Sequence, residues 1–183
     1  MTIYNIYKKL RLGLFILSIG LISCTSSQEK ARKKITDLEV VLRQDSFGTN
    51  RPMISIILNE YKNYAKSYPQ DTLSPEYLYK AAMLCMNSSR PQEAIEIIDL
   101  VLINYPTYKK TPDCLFIKGF IYDNHLKDYV NAKKSYEEFL KKYPTHAFAS
   151  SAESSLKFLG KSPEEILKEI EMNKEKDSKV AKK

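Results

Sequence analysis

The chain has 183 residues and a formal charge of +7, with 43% hydrophobic and 28% charged residues, ordinary values for a globular protein. Only five glycines occur, which excludes a turn-rich β fold and a glycine-rich phosphate loop. The positive excess sits at the two ends: Lys8, Lys9 and Arg11 near the start, and Lys174, Lys176, Lys179, Lys182 and Lys183 near the finish. What lies between is close to neutral, so no basic face for nucleic acid is implied.

Residues 1–23 read as a signal peptide. A basic n-region precedes an apolar run from Leu12 to Ile22, too short for a spanning helix, which needs about 20 residues. The run stops at Leu21-Ile22-Ser23-Cys24, and polar residues follow at once. That tetrad resembles the lipobox of bacterial lipoproteins: an aliphatic residue, a tolerant position, a small residue and the cysteine. The resemblance implies a covalent lipid on Cys24 and cleavage of the leader just before it. Thr25, where an Asp would stand otherwise, implies the outer membrane, facing the periplasm. An uncleaved membrane anchor is the alternative reading of this segment. Residues 24–32 are then expected to be a polar tether.

Residues 33–171 carry apolar residues at helical spacing. Ile35 to Leu42 and residues 51–69 predict a first, degenerate helix pair, joined by a long connection around Phe47-Gly48-Thr49-Asn50. The second pair carries Leu78, Ala81, Ala82 and Cys85, then Ala94, Ile97, Ile98 and Val101, with a polar break from Ser88 to Pro91. The third carries Leu115, Gly119 and Tyr122, a break from His125 to Asp128, then Ala132, Tyr136, Phe139 and Leu140. Ala147 to Leu159 and Pro163 to Met172 predict a closing pair. Tyr68-Pro69, Tyr105-Pro106 and Tyr143-Pro144 stop the second helices, because proline cannot continue a helix and restricts the residue before it. Ser74-Pro75-Glu76, Thr111-Pro112-Asp113 and Ser162-Pro163-Glu164-Glu165 read as starts, each with an N-cap hydroxyl, a proline and an acid in the first turn. Ser162 with Glu165 is also a capping box. Residues 172–183 form a lysine-rich tail expected to be disordered.

The prolines of the stops lie 37 and 38 residues apart, and each unit between them resembles the tetratricopeptide repeat (TPR). On that resemblance Ala82, Ala94, Gly119 and Ala132 are the small residues at which paired helices approach, and Ile98 and Tyr136 fill the space beside them. The third unit has one extra residue, near Leu126-Lys127-Asp128. The implied fold class is all-α, a TPR-like α-solenoid of stacked antiparallel helix pairs. The phrase from Ala132 to Pro144 is similar to repeats in two families: the TPR lipoprotein of the outer-membrane β-barrel assembly machinery, and the TPR protein linking the Tol–Pal system to cell division. Both have longer chains or extra segments.

The resemblance also implies a concave groove lined by first helices, with Tyr79, Met83 and Met86 from one unit and Phe116, Phe120 and Asp123 from the next. Packing of these side chains against neighbouring helices is the competing reading. No catalytic set is expected. His125 and His146 lack a partner at metal-ligand spacing. Cys85 reads as a small buried hydrophobe, and Ser154-Ser155-Leu156-Lys157 lacks the companion elements of a Ser-x-x-Lys enzyme. The expectation is a membrane-anchored scaffold for envelope proteins, with no cofactor, no nucleic acid and no small-molecule substrate. The alternatives are a periplasmic or surface ligand-binding lipoprotein, or an adaptor of the cell-division and Tol–Pal apparatus.

Overall fold

A computed structural model of the chain describes residues 27–44 and 51–180. The leader, Cys24 and the connection around Phe47-Gly48-Thr49-Asn50 lie outside the described residues. Every regular element among the described residues is helical, and the fold is all-α and TPR-like. The chain divides into two compact units, Met1–Leu84 and Cys85–Lys183.

The first unit contains α1 (27–44), α2 (Arg51–Ser67) and most of α3 (Leu73–Asn87). Its core holds Ile35 of α1, Ile57, Leu58, Tyr61 and Tyr64 of α2, and Tyr77, Leu78, Ala81 and Ala82 of α3. α1 begins well inside the stretch expected to be a tether. Residues 27–32 contain no glycine or proline, and Gln28 and Arg32, one helical turn apart, both reach Tyr64 and Asp71. Burial alone would raise the pKa of Asp71, but the Leu73 amide, Arg32 and Tyr64 outweigh it and hold the carboxyl below its usual range. Hydrogen bonding to Tyr64 and Asp71 pushes the Arg32 guanidinium up. Further along, Glu39 accepts from Tyr61 at 2.8 Å and pairs with Lys80 at 2.9 Å. The unit is thus tied by packed tyrosine rings and by polar and charged groups that meet the hydroxyls of Tyr61 and Tyr64.

The second unit contains α4 (Pro91–Asn104), α5 (Thr111–Phe120), a π turn (Ile121–Leu126), α6 (Tyr129–Lys142), α7 (Ala149–Phe158) and α8 (Pro163–Val180). Leu115, Ala132, Tyr136, Phe139 and Ala152 form its core. The small residues sit where close approach needs them: a Cβ on Gly119 would lie 2.7 Å from Cδ1 of Tyr136. α8 continues past Met172 to Val180, where a disordered tail was expected.

The Tyr-Pro stops share one geometry. The carbonyls of Tyr68, Tyr105 and Tyr143 each accept from the amide three residues on, at 2.9, 3.0 and 3.1 Å. Tyr105 and Tyr143 have the same backbone angles, φ −134° and ψ 55°. Ser74 and Thr111 are not the N-caps that the sequence suggested. α3 begins at Leu73 and α5 at Thr111 itself, so both hydroxyls lie in the first turn and donate back to the stop. Ser74 Oγ donates to the Tyr68 carbonyl at 2.6 Å and Thr111 Oγ1 to the Tyr105 carbonyl at 2.8 Å. Ser162 does cap: its Oγ accepts from the Glu165 amide at 3.2 Å, and the Glu165 carboxylate accepts from the Ser162 amide at 2.7 Å.

The extra residue of the third pair is absorbed by the π turn. After α3, Ser89 takes φ 58° and the Arg90 amide reaches back to Cys85; after the π turn, Lys127 takes φ 54° and the Asp128 amide reaches back one residue further, to Tyr122. The inserted residue widens the helix end instead of lengthening the loop.

Candidate functional site

Beside the π turn lies an open cleft of about 380 Å³. Phe120 ends α5 at its edge, and the π turn contributes Asp123 and Asn124. Across from them stand Ser154, Ser155 and Phe158 of α7, with Tyr129, Lys127, Gly160, Lys161 and Ile166 completing the lining. Local chemistry fixes this wall. Gly160 has φ +73° and closes α7, and a Cβ there would touch the Tyr129 ring at 3.4 Å. Lys161 pairs with Glu169 at 2.5 Å, and its Nζ lies 5.8 Å from the Phe158 ring centroid. The cleft therefore offers aromatic surface, Phe120, Tyr129 and Phe158, next to hydroxyl, amide, ammonium and carboxylate groups.

Two groups near the cleft are electrostatically unusual. Burial pushes the Asp123 carboxyl up, against a smaller opposing pull from Lys127. Tyr136, wholly buried behind the cleft, has a hydroxyl with no hydrogen-bond partner. Burial pushes its pKa up to about 12. Ser155 and Asp123, both cleft residues, act on that hydroxyl, but neither meets it in hydrogen-bond geometry.

The residues implied for a groove divide between the units. Tyr79 and Met83 are half-buried in the first; Met86, also half-buried, belongs to the second. In the second unit the structure brings Phe120 and Asp123 into one cleft. Phe116 goes elsewhere: its ring stacks on Phe148 at 4.8 Å and leans on Phe139 and Tyr136 at 5.6 and 5.7 Å, so it is chiefly a packing residue. The sequence did not single out Tyr129, Phe158 or Lys161, because only the return of α7 against α6 brings the end of α7 beside Phe120 and Tyr129.

Of the histidines, exposed His125 stands edge-on to Phe120 at 5.9 Å. His146 has an acidic partner that sequence spacing does not reveal. Its Nε2 lies 3.3 Å from Asp113 Oδ1, while Nδ1 accepts from the Phe148 amide at 3.3 Å. That amide contact assigns the ring proton to Nε2, facing Asp113. The partner was invisible because it comes from the start of α5, far away in sequence. Cys85 and Cys114 are buried and not joined in a disulfide, and burial pushes the Cys114 thiol up to about 12. Lys157 lies over the Phe158 ring at 5.1 Å. Among the described residues no group of His, Cys, Asp and Glu is placed to hold a metal ion, and no helix is long and apolar enough to cross a membrane.

The family model described as Tetratricopeptide repeat matches residues 113–146. The matched span takes in α5 from Asp113, the π turn, α6 and the Tyr143-Pro144 stop. No curated protein and no solved structure matches the chain. The sequence match, the helix pairing and the glycine against Tyr136 all fall on the same residues, so residues 113–146 form a tetratricopeptide repeat.

Proposed function

We propose that this protein is a lipid-anchored scaffold of the bacterial cell envelope that binds protein partners through its TPR region. A tetratricopeptide repeat supports a role in protein–protein interaction. The observation that carries the reading is the cleft beside Phe120 and Asp123, where exposed aromatic surface lies next to polar and charged groups at the end of the third helix pair. The anchor is the lipid on Cys24 that the lipobox implies, and tethering would raise the concentration of the domain near membrane partners. The similarity of its repeat to lipoproteins of β-barrel assembly and to the Tol–Pal adaptor favours outer-membrane assembly or maintenance. A second reading, a ligand-binding lipoprotein, draws on the same cleft, whose volume falls in the range of about 300–1,000 Å³ typical of small-molecule sites.

The test runs in the native host. Cells are fed an alkyne fatty acid, and wild type is compared with Cys24→Ala for label and membrane retention. A photo-crosslinking residue then replaces Phe120 in the wild-type background. Label that depends on Cys24, with discrete protein adducts at position 120, is the expected result. Unlabelled soluble protein would sink the anchor, and labelled protein without adducts would favour the small-ligand reading.

A further inference from the structure

Among the described residues, the Tyr136 hydroxyl is the buried side-chain polar atom that lacks a hydrogen-bond partner. A hydroxyl taken out of water without a partner lowers stability, and phenylalanine would fill the same space without that cost. Packing therefore does not account for the oxygen. The two groups that act on it, Ser155 and Asp123, both line the cleft and are both half-buried. A serine hydroxyl turns about a single bond, so Ser155 can donate to the Tyr136 oxygen while it accepts from a group in the cleft. Such a chain of hydroxyls links a sealed atom to the cleft, and each bond in it strengthens the next.

Charge in and around the cleft is balanced. Asp123, Lys127 and Lys161 line it; Lys127 acts on Asp123, and Lys161 is paired with Glu169. These four charges sum to zero. Next to the lining in sequence stand Glu153 and Lys157, one of each sign, and Lys157 lies over the Phe158 ring. Asp128 and Glu165 also adjoin it, and their carboxylates accept from the backbone amides of Asn131 and Ser162. Nothing here favours an anion or a cation, so the cleft suits a neutral ligand. The rings of Phe120 and Tyr129 are 37% and 40% exposed, and aromatic faces attract a surface of C–H groups. Beside them, serine hydroxyls, the Asn124 amide and the Asp123 carboxylate donate and accept in several directions.

We infer that the cleft binds a neutral sugar ring, packed on Phe120, Tyr129 and Phe158, with its hydroxyls on Asp123 and on Ser155, which relays to Tyr136. A sugar ring is uncharged, has C–H groups on its faces and carries hydroxyls around its edge, so it answers each feature of the cleft at once. At about 380 Å³ and open to one side, the cleft holds such a ring and lets a longer glycan continue outward. The inference rests on the second reading above, a small ligand in this cleft, and names its chemistry. It does not depend on the anchor at Cys24.

The experiment uses the full-length chain, purified in a sugar-free detergent and titrated with glucose and N-acetylglucosamine. Saturation-transfer NMR is expected to show magnetisation passing from the protein to the ring C–H protons of a neutral sugar. Glucosamine and glucuronate, a cation and an anion of the same shape, are expected to bind several-fold more weakly. Tyr129→Ala should lower affinity about tenfold, the loss of one ring contact. Ser155→Ala should lower it several-fold. Tyr136→Phe keeps the packing and removes the end of the relay, so it should weaken binding while the urea midpoint holds, which a purely structural role would not do. No transfer to either neutral sugar overturns the inference, as does transfer that none of the three variants weakens. Equal binding of the charged sugars overturns it too. Protein adducts at position 120 with no sugar bound would leave the protein-docking reading standing without this one. Sugar binding without adducts would carry the small-ligand reading.

Discussion

Tyr61 in the first unit and Tyr136 in the second hold the same place in the repeat, each seven residues before a Tyr-Pro stop. Both are buried, yet they are supported in opposite ways. Tyr61 stacks on Tyr77 at 5.4 Å and donates its hydroxyl to Glu39 at 2.8 Å; burial, then that hydrogen bond, push its pKa up. Tyr136 lays its ring on Gly119 and leaves its hydroxyl without a partner. The repeat position selects a large flat side chain, and whatever faces it decides the fate of the polar atom. In the first unit that neighbour is a charged network; in the second it is the back of a cleft.

The largest way to break the second arrangement is at Gly119. Gly119→Val puts a branched Cβ into the Tyr136 ring, and the overpacking should cost about 2–3 kcal/mol, less whatever helix propensity returns. A fall in the urea midpoint of the second unit checks this. If Tyr136→Leu, placed in the same chain, restores no stability, the ring contact is not the cause.

The first arrangement breaks at Asp71. Asp71→Asn weakens its bonds to Arg32 and Gln28 and should cost about 2 kcal/mol near neutral pH. The sign with pH follows from the direction of the shift. The folded-state pKa of Asp71 is lowered, so its contribution is present above the ordinary carboxyl range and is lost as pH falls below about 4. The deficit of the variant should therefore shrink on acidification. A deficit unchanged from pH 7 down to pH 3 would refute the charged role.

A finer contrast comes from removing each hydroxyl. Tyr61→Phe takes away one of the two partners of a half-buried Glu39, leaving Lys80, and should lose about 1 kcal/mol. Tyr136→Phe deletes an unsatisfied group and should be neutral, or stabilising by up to about 1 kcal/mol. Chemical denaturation of the two variants side by side decides it. Equal losses would mean that Tyr136 has a hidden partner, with a ligand or water in the cleft the first suspect.

Much of this arrangement was legible in the sequence. Apolar periodicity, the Tyr-Pro stops and the small residues at Ala82, Ala94, Gly119 and Ala132 placed the second and third helix pairs before any geometry was known, because each signal is local. The extra residue near Leu126 was visible too, but not that a π turn would absorb it, since a loop and a widened helix end have the same length. Contacts between distant segments were not legible. Nothing near Arg32 announces Asp71, nothing near His146 announces Asp113, and the aromatic wall of Tyr129 and Phe158 exists only after α7 has folded back. Of the groove implied by resemblance, Phe120 and Asp123 meet in the cleft while Phe116 turns into the core, a choice that helical spacing alone does not make.

The smallest expected effect tests whether local devices transfer between the regions. Two corners have a hydroxyl six residues after the stop, Ser74 after Tyr68 and Thr111 after Tyr105, and each donates to the stop carbonyl. The third has Ala149 at that place after Tyr143, with the same backbone angles at its stop as Tyr105 and the same amide bonds in its turn. Ala149→Ser should therefore supply the missing donor at an already formed acceptor. A partly exposed carbonyl gives up water for it, so the gain should be about 0.5 kcal/mol, and Ser74→Ala at its wholly buried site should lose about twice as much. Opposite signs for the two variants in one denaturant series would show that the corner is a module set by backbone geometry. A loss on Ala149→Ser would mean that the third corner is tuned to its aromatic neighbours, His146 and Phe148, which the first corner lacks.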